Sequence, residues 1–232
     1  MCLLPFTIGF IRALFNEPSE IPMSIKTIEN KQALQENITA LIAIEPKFSA
    51  IYEQVGLPDL RHNTGGFEQL MKAMVGQQLS VAAAASIWKR LFDADLTTPH
   101  KINEATDEAL KVQGLSKQKT RYIRSLVNHD IDFMALENMP DEEVINTLTA
   151  VTGIGRWTAE MYLLFSLKRV DVLAVDDLAI KVAAMELLGL EERPTPKQLK
   201  NFTQHWSPYR SAASLLLWSY YGLLRNKTAV PL

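Results

Sequence analysis

Two helical patterns in this chain are separated by an interruption of only four residues, Thr152-Gly-Ile-Gly155. Before it, Val144, Ile145, Leu148 and Val151 recur at helical spacing; after it, Trp157, Met161, Leu164 and Phe165 do so again. Pro140 suits the first turn of the leading helix, because its missing N–H would have had no partner there. The second helix is expected from Arg156 to about residue 167. Two glycines spaced Gly-x-Gly allow a tight turn and let backbone N–H groups approach an anion at a helix N-terminus, where a Cβ would intrude. An ordinary turn between two core helices would use the same residues. The spacing therefore settles a helix–hairpin–helix and leaves its ligand open. Shortly after it comes Asp171-Val-Leu-Ala-Val-Asp-Asp-Leu-Ala-Ile-Lys181, which sets two carboxylates, Asp176 and Asp177, ahead of another apolar helix.

Helical patterning extends through the rest. Phe67, Leu70, Met71 and Met74 form a stripe ending at Gly76, and the alanine-rich stretch from Val81 to Leu91 resumes it with strong helix formers. Leu178, Ile180, Ala183, Leu187 and Leu188 continue beyond the aspartates, and Ala212 to Leu224 is almost wholly apolar. Val172 to Val175 is too short to found a sheet, and Gly56 to Gly66 reads as the clearest long connector. An all-α protein is expected. With 232 residues, 47% of them hydrophobic, the chain can bury a sizeable core as one domain or two lobes. No apolar run reaches the roughly 18 residues of a membrane span. Met1 to Phe15 is apolar but is interrupted by Arg12 and lacks a small-residue cleavage site, which argues against a secretory signal. Met23 is an alternative start, which would make residues 1–22 an extension without function.

A net charge of −2 argues against a protein that simply coats nucleic acid. The charge is unevenly spread, however. Lys111, Lys117, Lys119, Arg121 and Arg124 lie in a run without a carboxylate, and Arg210, Arg225 and Lys227 do so in the tail. Such runs are either solvated faces or phosphate contacts. Cys2 is the only cysteine, so an intramolecular disulfide, a thiolate zinc site and a four-cysteine iron–sulfur cluster are excluded. His62, His100, His129 and His205 have no ligand spacing.

Four segments, in order along roughly Gly65 to Leu223, carry a resemblance. The hairpin Val151 to Ala159 with Asp176-Asp177-Leu178 resembles the helix-hairpin-helix DNA glycosylase superfamily and its aspartate. Gly76-Gln-Gln-Leu-Ser-Val-Ala-Ala84, Gly114-Leu-Ser-Lys-Gln-Lys-Thr-Arg-Tyr122, and Trp206-Ser-Pro-Tyr-Arg-Ser211 with Trp218 resemble segments of its 3-methyladenine DNA glycosylase II branch. The resemblance implies two helical lobes flanking a cleft: a central one over 67–175, and a second built from 23–66 and 176–232. The branch's N-terminal β domain is expected to be missing, since too few residues precede Gly65. The cluster-bearing branch similar to endonuclease III is set aside by the lone cysteine.

The implied activity is hydrolysis of the N-glycosidic bond of alkylated purines of the 3-methyladenine and 7-methylguanine type, in base excision repair. Positive charge develops on the sugar as that bond breaks, so a fixed carboxylate near C1′ stabilises the transition state more than the ground state. The family pattern selects Asp177 for this role, with Asp176 the second choice. Asp before an apolar helix is also a favoured cap; Asp176 is expected to be that cap, with Asp177 able both to cap and to catalyse as the alternative. The target base must be flipped into a pocket, and aromatic faces attract cationic bases. Trp157, Trp218, Met161, Tyr162 and Tyr209 are the candidate pocket residues, although a Trp on an apolar helix face is more often a core residue. Met161 stands where the relative with the most similar hairpin has tyrosine. Gln78 falls at the position that wedges into the vacated stack, unless it is only a helix-terminal amide; Gln77 and Ser80 are candidate caps. Thr152, Gly153, Ile154, Gly155, Thr158 and Arg210 are the expected DNA contacts. The carbonyls of Thr149, Val151 and Gly153 are implied as ligands of a monovalent cation, with no other cofactor. Bifunctional members carry a Schiff-base lysine at the position of Trp157, so strand cleavage is not expected. The implied partner is double-stranded DNA with alkylated bases, met by a monomer inside the cell, in the cytoplasm with the chromosomal DNA and away from membranes. A non-catalytic DNA-binding module and an oxidised-purine glycosylase are the alternatives.

Overall fold

Most helix starts in this protein follow side-chain caps written into the sequence. The structure, a computed structural model, describes residues 25–228; the extension 1–22 lies outside the described residues. Asn30 caps α1 (Lys31–Ile44), and α2 (Phe48–Val55) and α3 (Gly66–Gly76) follow. Ser80, Thr98, Thr106, Ser116 and Asp132 then accept first-turn N–H groups of α4 (Val81–Asp93), α5 (Pro99–Glu104), α6 (Asp107–Val112), α7 (Lys117–Asn128) and α8 (Phe133–Leu136). The hairpin helices are α9 (Asp141–Thr149) and α10 (Arg156–Phe165). The last three are α11 (Leu178–Leu188), capped by Asp177, α12 (Pro196–Phe202), opened by a Thr195/Gln198 capping box, and α13 (Arg210–Thr228). Each such cap is worth about 1 kcal/mol. Pro140 sits one step earlier than expected: with φ −55° and ψ 147° it is the extended residue before α9, not its first turn. Among the described residues there is no strand, only an antiparallel bridge between Thr27 and Arg169. No described helix is long and apolar enough to cross a membrane.

Two hydrophobic cores organise the helices. One draws its buried residues from Leu70 to Val172, the other from Ile28 to Ile51 and from Leu173 to Leu217. Phe165 and Trp218 pack against both, which places them where the lobes meet. The chain passes from one core to the other between Val172 and Leu173, and buried serines of α13 pin that crossing. Ser211 Oγ accepts from Val172 N (2.9 Å) and donates to Arg169 O (2.6 Å), while Ser214 Oγ donates to Val172 O (2.9 Å). These bonds satisfy backbone groups that burial would otherwise leave unpaired. They also set the direction in which the chain enters α11, and so where Asp177 lies. Trp206, in the tail motif, is fully buried edge-on against Phe48 at 4.9 Å.

Candidate active site

Asp177 is held by three donors. Its Oδ1 accepts the cap bond from Ile180 N (3.0 Å) and the indole N–H of Trp218 (3.2 Å), and its Oδ2 accepts the indole N–H of Trp157 (2.9 Å). Both oxygens are thus oriented by groups from α10, α11 and α13. Asp176, expected as the cap, is exposed instead, because α11 begins at Leu178 and the cap position falls one residue later.

Trp157, which donates to this carboxylate, also lines a cavity of about 510 Å³ with Thr158, Met161 and Tyr162 of α10 and with Gln77 and Gln78; Asp177 itself is not among the lining residues. Asn63, Gln69 and Ser166, which carry no signal of their own in the sequence, line it too, and Leu70, Ala73, Gly76 and Phe165 complete its walls. The connector reaches the cavity because Asn63 N donates to Phe165 O (2.9 Å) and Gly66 N to the Tyr162 hydroxyl (2.9 Å). Gly65 has φ +74° and a Cβ there would lie 3.2 Å from that hydroxyl, so the Gly65-Gly66 pair was the signal that could have found this wall. Its lining residues carry no formal charge, so a cationic base would meet no repelling Lys or Arg.

Three expected site residues sit elsewhere. Trp218 is behind the lining, stacked on Phe165 at 5.8 Å and joined to Asp177 through its N–H. Tyr209 packs on the second core. Arg210 is not a free phosphate ligand: its Nε and Nη2 bind Asp171 at 2.6 and 2.7 Å, in a smaller hollow it shares with Arg156 and Glu160. There Glu160 has a side chain 5% exposed; burial pushes its carboxyl up to about 7 against the pull of Arg156 at 3.0 Å.

The hairpin presents backbone outward. Gly153 has φ +98°, and a Cβ on it would strike the ring of Tyr122 at 2.4 Å, so glycine is required twice over. Thr152 is exposed and its N–H donates to Ser125 Oγ (3.0 Å). Ile154, expected at the DNA, turns its side chain into the core and its N–H to Val151 O (3.1 Å). Gly155 is the N-cap of α10 and offers no side chain to the first turn, which leaves the helix N-terminus open to an anion. Much of the basic run serves the fold: Arg124 binds the carbonyls of Ile102 and Ala105 and the Asp107 carboxylate, and Lys111 pairs with Glu108. Lys119, read as exposed, is half-buried, and burial pulls its pKa down. Among the described residues no group of His, Cys, Asp and Glu is arranged to hold a metal ion.

Residues 71–208 match the family described as HhH-GPD superfamily base excision DNA repair protein. The chain belongs to that superfamily. Among curated relatives, this HhH-GPD protein is 32% identical over 200 residues to the alkylbase DNA glycosidase-like protein mag2 of Schizosaccharomyces pombe, covering 80% of this chain and 93% of the relative. It is 34% identical to DNA-3-methyladenine glycosylase 1 of the same yeast, covering 66% of this chain and 71% of that one. A crystal structure of a DNA-3-methyladenine glycosidase from Bacillus halodurans superposes with a TM-score of 0.77 at 32% identity, covering 88% of this chain and 95% of that one. The Schizosaccharomyces pombe 3-methyladenine glycosylase in complex with abasic DNA gives 0.66 at 30%, covering 79% and 95%.

Proposed function

We propose that this HhH-GPD protein is a monofunctional DNA glycosylase that releases alkylated purines of the 3-methyladenine and 7-methylguanine type from duplex DNA. The observation that carries the reading is a carboxylate, Asp177, fixed by three donors, one of them Trp157 on the wall of an uncharged cavity. Gly155 and the open N-terminus of α10 grip phosphate; Gln78, exposed at the cavity edge, fills the gap left by the flipped base. Trp157, 46% exposed, gives an electron-deficient purine an aromatic surface, while Tyr162 is buried in the cavity wall. As the bond to C1′ lengthens, Asp177 stabilises the cation growing on the sugar, and water completes the hydrolysis.

At the hairpin position where lyase chemistry needs an amine stands Trp157, whose N–H is engaged by Asp177. The Lys119 Nζ is engaged by the backbone carbonyls of Val75 and Gln77 at the end of α3. The product is therefore an intact strand with an abasic site. The carbonyls of Thr149, Val151 and Gly153 are neutral oxygens suited to a hard monovalent cation, and those of Val151 and Gly153, which already accept one hydrogen bond each, keep a second lone pair. Such an ion would add positive charge beside the bound phosphate. One copy supplies cavity, carboxylate and hairpin, so a monomer suffices, acting inside the cell where the chromosomal DNA lies.

Incubation with methylated duplex DNA and chromatography of the released material tests the reading. Free 3-methyladenine or 7-methylguanine is expected, with the strand nicked only after hot alkali. Binding without release would point to a non-catalytic module, release of 8-oxoguanine alone to an oxidised-purine enzyme, and a borohydride-trapped adduct in high yield to lyase chemistry.

A further inference from the structure

The C-terminal carbonyls of α3 have no partner within their own helix. An ammonium from more than forty residues away in sequence supplies one: Lys119 Nζ, on α7, donates to Val75 O (2.5 Å) and to Gln77 O (2.9 Å). A cation at a helix C-terminus is favoured by the macrodipole, and its bonds to carbonyls are charge-assisted. Between and just beyond these two carbonyls the chain turns sharply. Gln78 has φ +56°, in the left-handed region that a residue with a Cβ holds only when its surroundings enforce it. The turn's own bonds are long, Gln77 N to Met74 O at 3.4 Å and Leu79 N to Gly76 O at 3.2 Å. Lys119 is the stronger restraint.

The same turn is tied to the hairpin. The Gln77 side-chain amide donates to Gly153 O (2.9 Å). From α7, Tyr122 packs its ring against Gly153 and Ser125 Oγ accepts from Thr152 N. Lys119, Tyr122 and Ser125 are spaced by three along α7 and so share one face of it. We infer that Lys119 is a positioning residue: through Val75 and Gln77 it fixes the turn that presents Gln78, and α7 makes wedge and phosphate-gripping hairpin one rigid unit. Engagement of the backbone by the hairpin then sets the depth at which Gln78 enters the stack. This rests on the proposed reading of Gln78 as the wedge.

The test compares single-turnover base release from two duplexes carrying one 7-methylguanine, paired with cytosine in the first and opposite an abasic gap in the second. A 2-aminopurine beside the lesion reports extrusion independently of chemistry. Lys119→Met keeps the stem and removes the donors; it should slow release and extrusion from the paired duplex by about tenfold while leaving the unpaired one within about twofold. Lys119→Arg, which restores a cation with several donors, should recover most of the loss. Equal loss on both duplexes, or none on the paired one, overturns the proposal. Melting temperature is read for each variant, and Lys119→Gln, which keeps an uncharged NH₂ donor group and should fall between, replaces Lys119→Met if the latter does not fold. Gln78→Ala separates the premises. If it too is indifferent to pairing, the wedge reading falls and takes the proposal with it; if it alone discriminates, Lys119 falls by itself.

Discussion

Replacing Asp177 by asparagine removes a charge at almost constant volume, so it isolates the electrostatic part of the site. A carboxylate about 4 Å from a positive charge, at an effective dielectric of about 20, contributes about 4 kcal/mol. Lost from the transition state alone, that is about three decades in rate. The fold should suffer far less. An amide has one acceptor oxygen, which can keep the bonds from Ile180 N and Trp218; its amino group then faces the Trp157 indole N–H in place of Oδ2. Trp157 is 46% exposed, so its N–H can turn to water. With the cap retained, the stability cost should stay near 1 kcal/mol, a shift of about 2–4 °C at this chain length. Single-turnover release from methylated duplex, binding to a duplex with a stable abasic-site analogue, and a thermal melt read the three quantities. The expected pattern is release down about three decades, with affinity and melting nearly unchanged. Near-normal turnover would refute the assignment, and the same deficit in Asp176→Asn with none in Asp177→Asn would move it by one residue.

Trp218→Phe keeps the stack on Phe165 but removes one donor from Asp177, so base release should drop by about tenfold, the lower range for a bond to a charged group; cationic and neutral lesions such as hypoxanthine should suffer alike, and selective loss of the cationic ones would instead make Trp218 a pocket wall. Gly153→Ala should lower both melting temperature and affinity for undamaged duplex, whereas Gly155→Ala, whose Cβ meets nothing within 4 Å, should keep its melting temperature and lose affinity only if phosphate approaches there. For Glu160 the folded carboxyl, at about 7, holds its proton more tightly than an unfolded one at 4.5, so its contribution is fully present below the unfolded value and lost as pH rises through the folded one. Wild-type stability should therefore fall by about 2–3 kcal/mol between pH 5 and 8 relative to Glu160→Gln, and parallel denaturation curves for the two proteins would contradict this.

What was legible in the sequence was local. Apolar spacing, cap residues and the Gly-x-Gly interruption depend on neighbours a few residues apart, so the helical class, the hairpin and the carboxylate before α11 could be read directly. Even there the reading slipped where a single residue of register mattered: Asp177, not Asp176, caps α11, and Pro140 precedes α9. Side-chain partners distant in sequence could not be read. In sequence Arg210 reads as a phosphate contact, but in the fold Asp171 lies across from it; Lys119 reads as exposed, but α3 ends against it. Trp218 was expected on the pocket wall and is behind it, bonded to the carboxylate.

The order of residues by itself determined which helices form and which chemical groups the hairpin and α11 can present, because backbone preference and capping act over one or two turns. Only the packing of two cores decided that Asn63, Gln69 and Ser166 share a cavity with Trp157, that two indoles from different helices orient one carboxylate, and that most of the basic run is spent on carbonyls and acids. A charge or an indole carries no mark in sequence of what it will face; desolvation and geometry assign its partner when the lobes close on each other.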